Sequence, residues 1–354
     1  MKQMTKHERI LAALGGDEVD TLPYSMWLHF PGDDLIPESA AEKTFDFYQK
    51  YDLDFIKTCN NSMYALEDYG CKSDYSAVGS GGDNVLTDSP IKTAEDWCRL
   101  EEPDIHTGVY GRELKYLELL LKKTKGTVPV IFTIYSPLTT ANKMAGSRKM
   151  YGKDNLLFKH IEEGHQDKLQ TALEVISQTT CKLVKEALDR GADGIYLASQ
   201  TSSYDFFTDG IFRRFGEPYD RQVLDAAKDG WFNTLHAHGN NIMFDILKDY
   251  PVHAFQWHAF EALPTLKDAK EQTGKCLMGG IQRKHITSKD RKSIVDEITR
   301  CCRELQCRGH ILSPGCAMSH PLSHEMLSFV KEAKEEVEAK YKSKSTETIT
   351  DWVK

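Results

Sequence analysis

Short apolar runs alternate with longer amphipathic stretches along most of the chain. The short runs are rich in β-branched and aromatic residues, which favours strands, whereas the longer stretches have the apolar spacing of helices that bury one face. Strands that alternate with helices in this way predict a parallel sheet. Eight runs are predicted strands: Leu22–Leu28, Asp54–Cys59, Val128–Tyr135, Gly194–Ser199, Thr234–His238, Ala254–His258, Cys276–Ile281 and His310–Ser313.

Helical patterns separate most of these runs. The first predicted helix, Glu8–Leu14, precedes the first strand and ends at two glycines, which stop a helix readily. The other predicted helices are Ala40–Lys50, Arg112–Lys123, His165–Arg190, part of Arg221–Leu235, Met243–Asp249, Leu266–Gln272, Lys289–Leu305 and Ser323–Tyr341.

A (β/α)8 barrel has eight strands in alternation with helices, which is the number of strands predicted here. We therefore predict one α/β domain of the TIM-barrel type over residues 1–343, with an N-terminal helical extension and a polar C-terminal tail over residues 344–354. A doubly wound sheet would more often carry a glycine-rich phosphate turn after its first strand. The glycine pair at 81–82 lies in a polar loop instead, where it is a weak nucleotide signal.

Composition narrows the class of protein. Hydrophobic residues make up 40% and charged residues 28%, which is typical of a globular enzyme. No run of apolar residues is long enough for a membrane span, and the net charge of −8 argues against nucleic-acid binding. The first residues contain no apolar signal-peptide core, and the nine cysteines are scattered, so we expect a cytoplasmic protein with free thiols.

The segment 236–240 reads His-Ala-His-Gly-Asn, and its two histidines would face the same side of a strand. In a TIM barrel the carboxyl ends of the strands form one face, so His236, His238, His258 and Cys316 would share that rim. Two imidazoles and one thiolate, from His236, His238 and Cys316, are a three-ligand zinc set with a fourth position open. The alternative is that the histidines are hydrogen-bonded strand residues and that the cysteine is buried packing.

Several segments occur in an order found in a known family. They are Glu8–Gly16 with Val19–Pro23, Asp193–Tyr196 with Gln200–Ser202, Leu235–Asn240, Gly279–Ile281, Ser313–Cys316 and Pro321–Ala333. Together they resemble the uroporphyrinogen decarboxylase superfamily over nearly the whole chain. The resemblance implies a TIM barrel, in agreement with the number of predicted strands.

Segment 235–240 is similar to the His-x-Cys-Gly-Asn motif of the superfamily's corrinoid-linked methyltransferase branch, which holds zinc through that pair and a later cysteine. Within that motif His236 and Cys316 match, whereas His238 stands where the branch has cysteine. The resemblance implies zinc-dependent methyl transfer between the methylcobalamin of a corrinoid protein and a small acceptor or donor. It also implies the corrinoid protein as a partner and leaves a homodimer open.

Two other functions stay open. True uroporphyrinogen decarboxylases carry an Arg-x-x-Gly-Arg-Tyr loop after the first strand, whose guanidinium groups hold substrate carboxylates. Here that loop contains Asp33 and Asp34, and no arginine occurs between Arg9 and Arg99. Two aspartates would repel a polycarboxylate, which argues against decarboxylation of a porphyrinogen, although a smaller acid stays an alternative. A non-catalytic barrel that binds a corrinoid protein is the third hypothesis.

Further polar residues lie at predicted strand ends. We expect His258 to act as a general base or to support the metal ligands, with a buried structural histidine as the alternative. Tyr204 is a second catalytic candidate, with a structural loop role as its alternative. Predicted substrate contacts come from Lys57, Asn60, Tyr196 and Gln200.

Overall fold

The computed structural model describes residues 3–77, 84–146 and 155–345. Seven of the nine strands in these residues form one parallel sheet in the order β1-β4-β5-β6-β7-β8-β9, and β2 and β3 form a separate antiparallel hairpin. The strands are β1 (Ile56–Lys57), β2 (Lys72–Asp74), β3 (Val85–Asp88), β4 (Val130–Tyr135), β5 (Gly194–Ser199), β6 (Thr234–Ala237), β7 (Ala254–Trp257), β8 (Cys276–Ile281) and β9 (His310–Pro314).

The segment Leu22–Leu28 joins the two edges of the seven-stranded sheet. The backbone N–H of Ser25 donates to the carbonyl of Leu312 in β9 over 3.0 Å. On the other side, the backbone N–H of Asp54, just before β1, donates to the carbonyl of Tyr24 over 2.9 Å. The parallel sheet therefore curls into a barrel, which confirms the predicted α/β fold class.

The first predicted strand makes isolated bridges instead of a continuous ladder, so the prediction of a regular strand there is wrong. Pro23 has no N–H to donate, and the N–H of Tyr24 donates to the carboxylate of Asp54 over 2.8 Å. The segment pairs in parallel at two points only, Tyr24 with Leu312 and Leu28 with Met318.

Helices follow most strands, and their amphipathic faces bury apolar residues in one continuous core. They are α1 (Lys6–Gly15), α2 (Pro37–Tyr51), α3 (Tyr64–Glu67), α4 (Gly108–Thr124), α5 (Pro137–Ala145), α6 (Leu156–Glu162), α7 (Gln166–Asp189), α8 (Asp209–Phe215), α9 (Glu217–Ala226), α10 (Phe244–Leu247), α11 (Leu266–Thr273), α12 (Arg283–Thr287), α13 (Arg291–Leu305) and α14 (His324–Ser345), with short 3₁₀ helices at Asp33–Leu35 and Ala94–Arg99. No helix in the described part of the chain has the length and apolar composition that a membrane span needs.

The N-terminal helix α1 is fastened to the amino-terminal end of the barrel by ion pairs. Its Arg9 contacts Asp20 over 2.7 Å and Asp54 over 2.6 Å. The three side chains are largely buried, so the guanidinium of Arg9 supplies the counter-charge that both carboxylates need away from water.

The last helix, α14, closes the seam beside the segment Leu22–Leu28. Glu338 accepts hydrogen bonds from the backbone N–H of Leu22 and from the hydroxyl of Thr21. One turn earlier, Lys334 donates to the carbonyl of Leu22 and to the same hydroxyl. The helix runs to Ser345, two residues beyond the predicted domain boundary. Residues 346–354 of the predicted tail, and the glycine pair at 81–82, lie outside the described residues.

Candidate metal centre

Four donor side chains meet at the carboxyl ends of β6, β7 and β9. His236 lies in β6 and His238 directly after it, His258 follows β7, and Cys316 follows β9. One donor atom from each residue lies within 4.8 Å of the donor atoms of the other three, and Nδ1 of His238 is 3.8 Å from Sγ of Cys316. The structure thus brings the three predicted metal ligands together and adds His258 to them.

A glycine allows the loop after β9 to approach the loop after β7 closely. A Cβ atom at Gly315 would lie 3.0 Å from Cα of His258, which is closer than backbone and side chain normally pack. Because Gly315 has no side chain, the following residue, Cys316, can reach the imidazoles. The short Pro-Gly step after β9 therefore positions the thiol.

The amide of Gln256 sets the tautomer of His236. Nε2 of Gln256 donates to the carbonyl of Pro314 over 3.0 Å, and a carbonyl can only accept, so the amide oxygen faces the other way. That oxygen accepts from the hydroxyl of Tyr196 over 2.9 Å and lies in hydrogen-bond contact with Nδ1 of His236. The proton of His236 is therefore on Nδ1, and the lone pair on Nε2 points into the centre.

Burial and mutual contact set the protonation of the cluster. Burial lowers the pKa of His236 to about 4, so this ring is neutral at pH 7. Burial raises the pKa of the Cys316 thiol, but the influence of the neighbouring imidazoles, foremost that of His236, outweighs it and brings the pKa well below its ordinary value. The cluster therefore offers the neutral imidazole of His236 beside a cysteine that ionises readily.

The donor set fits a zinc ion. Nε2 of His236 and Nε2 of His258 are buried and have no hydrogen-bond partner among the described residues, although a buried polar atom normally has one. Tetrahedral zinc bonds to nitrogen and sulfur place neighbouring ligand atoms about 3.5 Å apart, close to the spacing seen here. His236, His238, His258 and Cys316 would hold the metal.

Two further predicted residues lie directly beside the cluster, inside the barrel. The ring of Tyr196 stacks on His236 with centroids 5.3 Å apart. Nζ of Lys57 lies 4.7 Å from the centroid of the same Tyr196 ring. Lys57 therefore places a buried positive charge one aromatic ring away from a candidate metal ligand.

Three predicted residues contact other groups. The amide of Asn60 is bonded at both ends, to the hydroxyl of Thr58 and to the carboxylate of Glu113. Tyr204 is 42% exposed, and its hydrogen bond with Asp209 raises the pKa of the phenol. Gln200 is half-buried after β5. Contact of Asn60, Gln200 and Tyr204 with a substrate stays a prediction.

The loop after the segment Leu22–Leu28 presents less charge than the sequence indicates. Asp34 is buried, and Nδ1 of His29 lies 3.9 Å from its carboxylate. Burial raises the pKa of Asp34 to about 6. Of the two aspartates predicted to repel a polycarboxylate, Asp34 therefore packs its carboxyl group inside the loop.

A family profile described as "Uroporphyrinogen decarboxylase (URO-D)" matches residues 5–337. The chain belongs to the uroporphyrinogen decarboxylase family. Among curated proteins, it is 25% identical over 151 residues to the methylcobamide:CoM methyltransferase MtbA of Methanosarcina mazei and 24% identical to the MtbA of Methanosarcina acetivorans. Each alignment covers 42% of this chain and 42% of the relative, so the matched part is less than half of either protein.

Solved structures share the barrel at lower identity. A methyltransferase from Methanosarcina mazei superposes with a TM-score of 0.78 at 19% identity, over 94% of this chain and 99% of that one. A B12-independent methionine synthase from Shewanella sp. W3-18-1 superposes with a TM-score of 0.56 at 14% identity, over 91% and 97% of the two chains. Both confirm the fold of this member of the uroporphyrinogen decarboxylase family.

Sequence reasoning missed Gln256, although a signal for it existed. Gln256 precedes His258 by two residues, so the pair repeats the i, i+2 spacing of His236 and His238 on the neighbouring strand. A polar residue at the inward position of a buried strand needs a partner.

Proposed function

We propose that this member of the uroporphyrinogen decarboxylase family is a zinc-dependent methyltransferase, which moves a methyl group between a corrinoid protein and a small acceptor or donor. The observation that carries the proposal is the four-donor cluster at the carboxyl end of the barrel, with two buried imidazole nitrogens that lack partners. The methyltransferases among its relatives support the same reaction class.

Each residue of the cluster has a defined part. Gln256 holds His236 in the tautomer that offers Nε2, and the loop at Gly315 holds Cys316 against the imidazoles. A zinc ion held there by three of the four donors would leave its fourth position to an acceptor thiol, lower the pKa of that thiol and supply it as a thiolate at neutral pH. His236 and His258 are buried, whereas His238 and Cys316 are partly exposed, so a substrate can reach the cluster from the side of His238 and Cys316.

The transfer itself needs no further redox partner. In the direction of acceptor methylation, the acceptor sulfur forms a bond to the methyl carbon while the carbon–cobalt bond of the methylcorrinoid breaks. The electron pair of that bond stays with cobalt, and the thiol proton leaves before the transfer. The protein contributes position and a dry environment for the two reactants.

Decarboxylation of a porphyrinogen is less well supported. A substrate with several carboxylates needs several cations, and arginine is the residue best suited to hold them. The loop after the segment Leu22–Leu28 offers Asp33 and Asp34 and no arginine. A substrate that is held by guanidinium groups also leaves the four-donor cluster without a role.

Metal analysis with a matched cysteine control tests the proposal. We expect about one zinc per chain in the wild type. Cys316→Ser should lose most of it, whereas Cys98→Ser, at an exposed free cysteine outside the cluster, should retain it. The wild type loaded with zinc should also demethylate methylcobalamin in the presence of small thiols, followed by visible absorption. Equal zinc content in the two variants, or turnover of uroporphyrinogen, would contradict the proposal.

A further inference from the structure

Two free cysteines contact each other where α13 ends. Cys302 lies in the last turn of that helix, and Cys307 is the second residue after it. Their thiols are in hydrogen-bond contact, and both side chains are buried. Two thiols in direct contact are joined by a disulfide when an oxidant removes two electrons from them.

The backbone after α13 adopts an uncommon conformation that brings the two thiols together. Gln306 and Cys307 have φ angles of 53° and 54°, in the left-handed region that residues with a side chain rarely adopt. The N–H of Arg308 donates to the carbonyl of Leu305 over 2.9 Å, so the chain reverses immediately after the helix. Glycine would adopt this conformation without strain, and a cysteine at position 307 therefore indicates a use for its thiol.

The surroundings make Cys307 the more acidic thiol of the two. The hydrogen bond with Cys302 lowers the pKa of Cys307, in spite of the opposite effects of burial and of Glu338. Lys342 and Lys334 on α14 lower this pKa further. The same hydrogen bond raises the pKa of Cys302. Because the thiolate is the reactive form of cysteine, Cys307 is the thiol that reacts first.

A cavity of about 240 Å³ gives a small molecule access to Cys307. The cavity is also lined by Glu18 and by Lys342, so it lies between the N-terminal part of the chain and α14. Hydrogen peroxide is little larger than a water molecule, which occupies about 30 Å³, and therefore fits there. Cys302 is only 1% exposed, so peroxide in this cavity meets Cys307 before it meets Cys302.

We propose that Cys302 and Cys307 are a redox-active pair, which hydrogen peroxide converts into a disulfide. The thiolate of Cys307 attacks one peroxide oxygen, so that a sulfur–oxygen bond forms, the oxygen–oxygen bond breaks and hydroxide leaves. Cys302 then loses its proton and attacks the sulfur of the sulfenic acid, and the sulfenic oxygen leaves as water. In sum the two thiols lose two electrons and two protons, and one peroxide becomes two water molecules. A thiol reductant reverses the change by exchange.

This reaction is independent of the proposed methyl transfer. Both cysteines precede β9, whereas Cys316 follows it, so the pair lies at the amino-terminal end of the barrel and the metal centre at the other end. Oxidation of the pair therefore uses none of the candidate metal ligands.

Thiol counting and peptide mass spectrometry on the full chain test the pair. The folded wild type is treated with a small excess of hydrogen peroxide, unfolded, and alkylated. The count of alkylated thiols should fall by two from the nine of the reduced chain, and dithiothreitol should restore it. Trypsin cuts between the two cysteines, after Arg303, so peptides 301–303 and 304–308 stay joined only where a disulfide links them.

Three variants assign the disulfide to its residues. Cys301→Ser is the matched control, because Sγ of Cys301 points to the carbonyl of Gly280 instead, over 3.7 Å, and this variant should form the same cross-link. Cys302→Ser and Cys307→Ser should not form it. Without its partner, Cys307 should accumulate as a sulfenic acid, so Cys302→Ser should show about tenfold more dimedone labelling at Cys307 than the wild type.

The wild-type measurement needs no substitution, so a variant that fails to fold does not remove the test. Peptides 301–303 and 304–308 that stay separate in peroxide-treated wild type would overturn the pair. The same holds if the cross-link persists in Cys302→Ser, or if the folded wild type forms it no faster than the chain unfolded in urea, because the native contact would then have no part in the reaction.

Discussion

Gln256 accepts a hydrogen bond from Nδ1 of His236, and the parallel register of β6 and β7 places these two residues directly beside each other. The same amide donates to the carbonyl of Pro314 in β9. One buried side chain therefore links three strands that carry candidate metal ligands. It fixes the direction in which the imidazole presents its lone pair.

Loss of this amide should weaken metal binding without removing any ligand. We expect Gln256→Leu to lower zinc affinity about 10- to 100-fold, because residues that orient metal-bound histidines have effects of this size. Competition for zinc with a chromophoric chelator measures this affinity. Gln222→Leu, which removes an amide that bonds Ser177 on the outside of the barrel, is the control and should bind zinc as the wild type does. Identical affinities for both variants would show that Gln256 does not orient the ligand.

The donors should differ in their importance for metal retention. No hydrogen bond from outside the cluster fixes the ring of His258 among the described residues, whereas Gln256 fixes that of His236. Three protein donors suffice for a catalytic zinc site. We expect His258→Ala to retain zinc with a smaller loss of affinity than His236→Ala. His253→Ala, at an exposed position outside the cluster, is the control. A larger loss in His258→Ala than in His236→Ala would refute this order.

Gly315→Ala should disturb the centre although it changes no donor. The added Cβ would lie 3.0 Å from Cα of His258 and 3.4 Å from the carbonyl oxygen of Trp257, and neither backbone atom can swing away. The loop must shift and carry Cys316 with it, so we expect zinc affinity to fall about tenfold. Gly210→Ala, on α8 with no atom within 4 Å of the added methyl group, should leave affinity unchanged and stabilise the helix. Unchanged zinc affinity in Gly315→Ala would show that the loop accommodates the added methyl group without moving Cys316.

Asp220 should make the stability of the protein depend on pH. Burial raises its pKa from 3.8 to about 8, with one carboxyl oxygen bonded to Tyr250 and the other without a partner among the described residues. Between about pH 4 and pH 8 the unfolded chain has released a proton that the folded chain keeps. The free energy of unfolding therefore falls as pH rises through this window and levels off above it.

Asp220→Asn cannot ionise and should lose this dependence. From pH 5 to pH 8 the wild type should lose on the order of 3 kcal/mol of its free energy of unfolding through this group, whereas the variant should not. Urea unfolding of both proteins at the two pH values measures the difference. Asp225→Asn, at an exposed position of the same helix α9, should keep the slope of the wild type. The same slope in both variants would place the titration elsewhere.

The sequence predicted those strands and helices whose burial is visible in the pattern of apolar residues along the chain. Strands β4, β5 and β8 are buried on both faces and appear as short, mostly apolar runs. The short helices α3, α5, α6, α8 and α12 were not predicted, because helices of four to nine residues show too little periodicity and are held by packing. The hairpin of β2 and β3 was missed for a similar reason, since its residues are mostly polar and exposed.

The metal centre was predictable only in part. The spacing of His236 and His238, together with the position of Cys316 after a strand, was visible in the sequence. The role of Gln256 depends on the register between β6 and β7, which no local pattern determines.

The hydrogen bonds that Lys334 and Glu338 make with Thr21 and Leu22 have a consequence for synthesis of the protein. These contacts join two parts of the chain that leave the ribosome more than 300 residues apart. Until β9 emerges, the segment Leu22–Leu28 has no strand beside it on that side and the barrel stays open there, and α14 follows only after Cys316. Completion of the metal centre, which also awaits Cys316, and closure of the barrel therefore belong to the same late stage of translation.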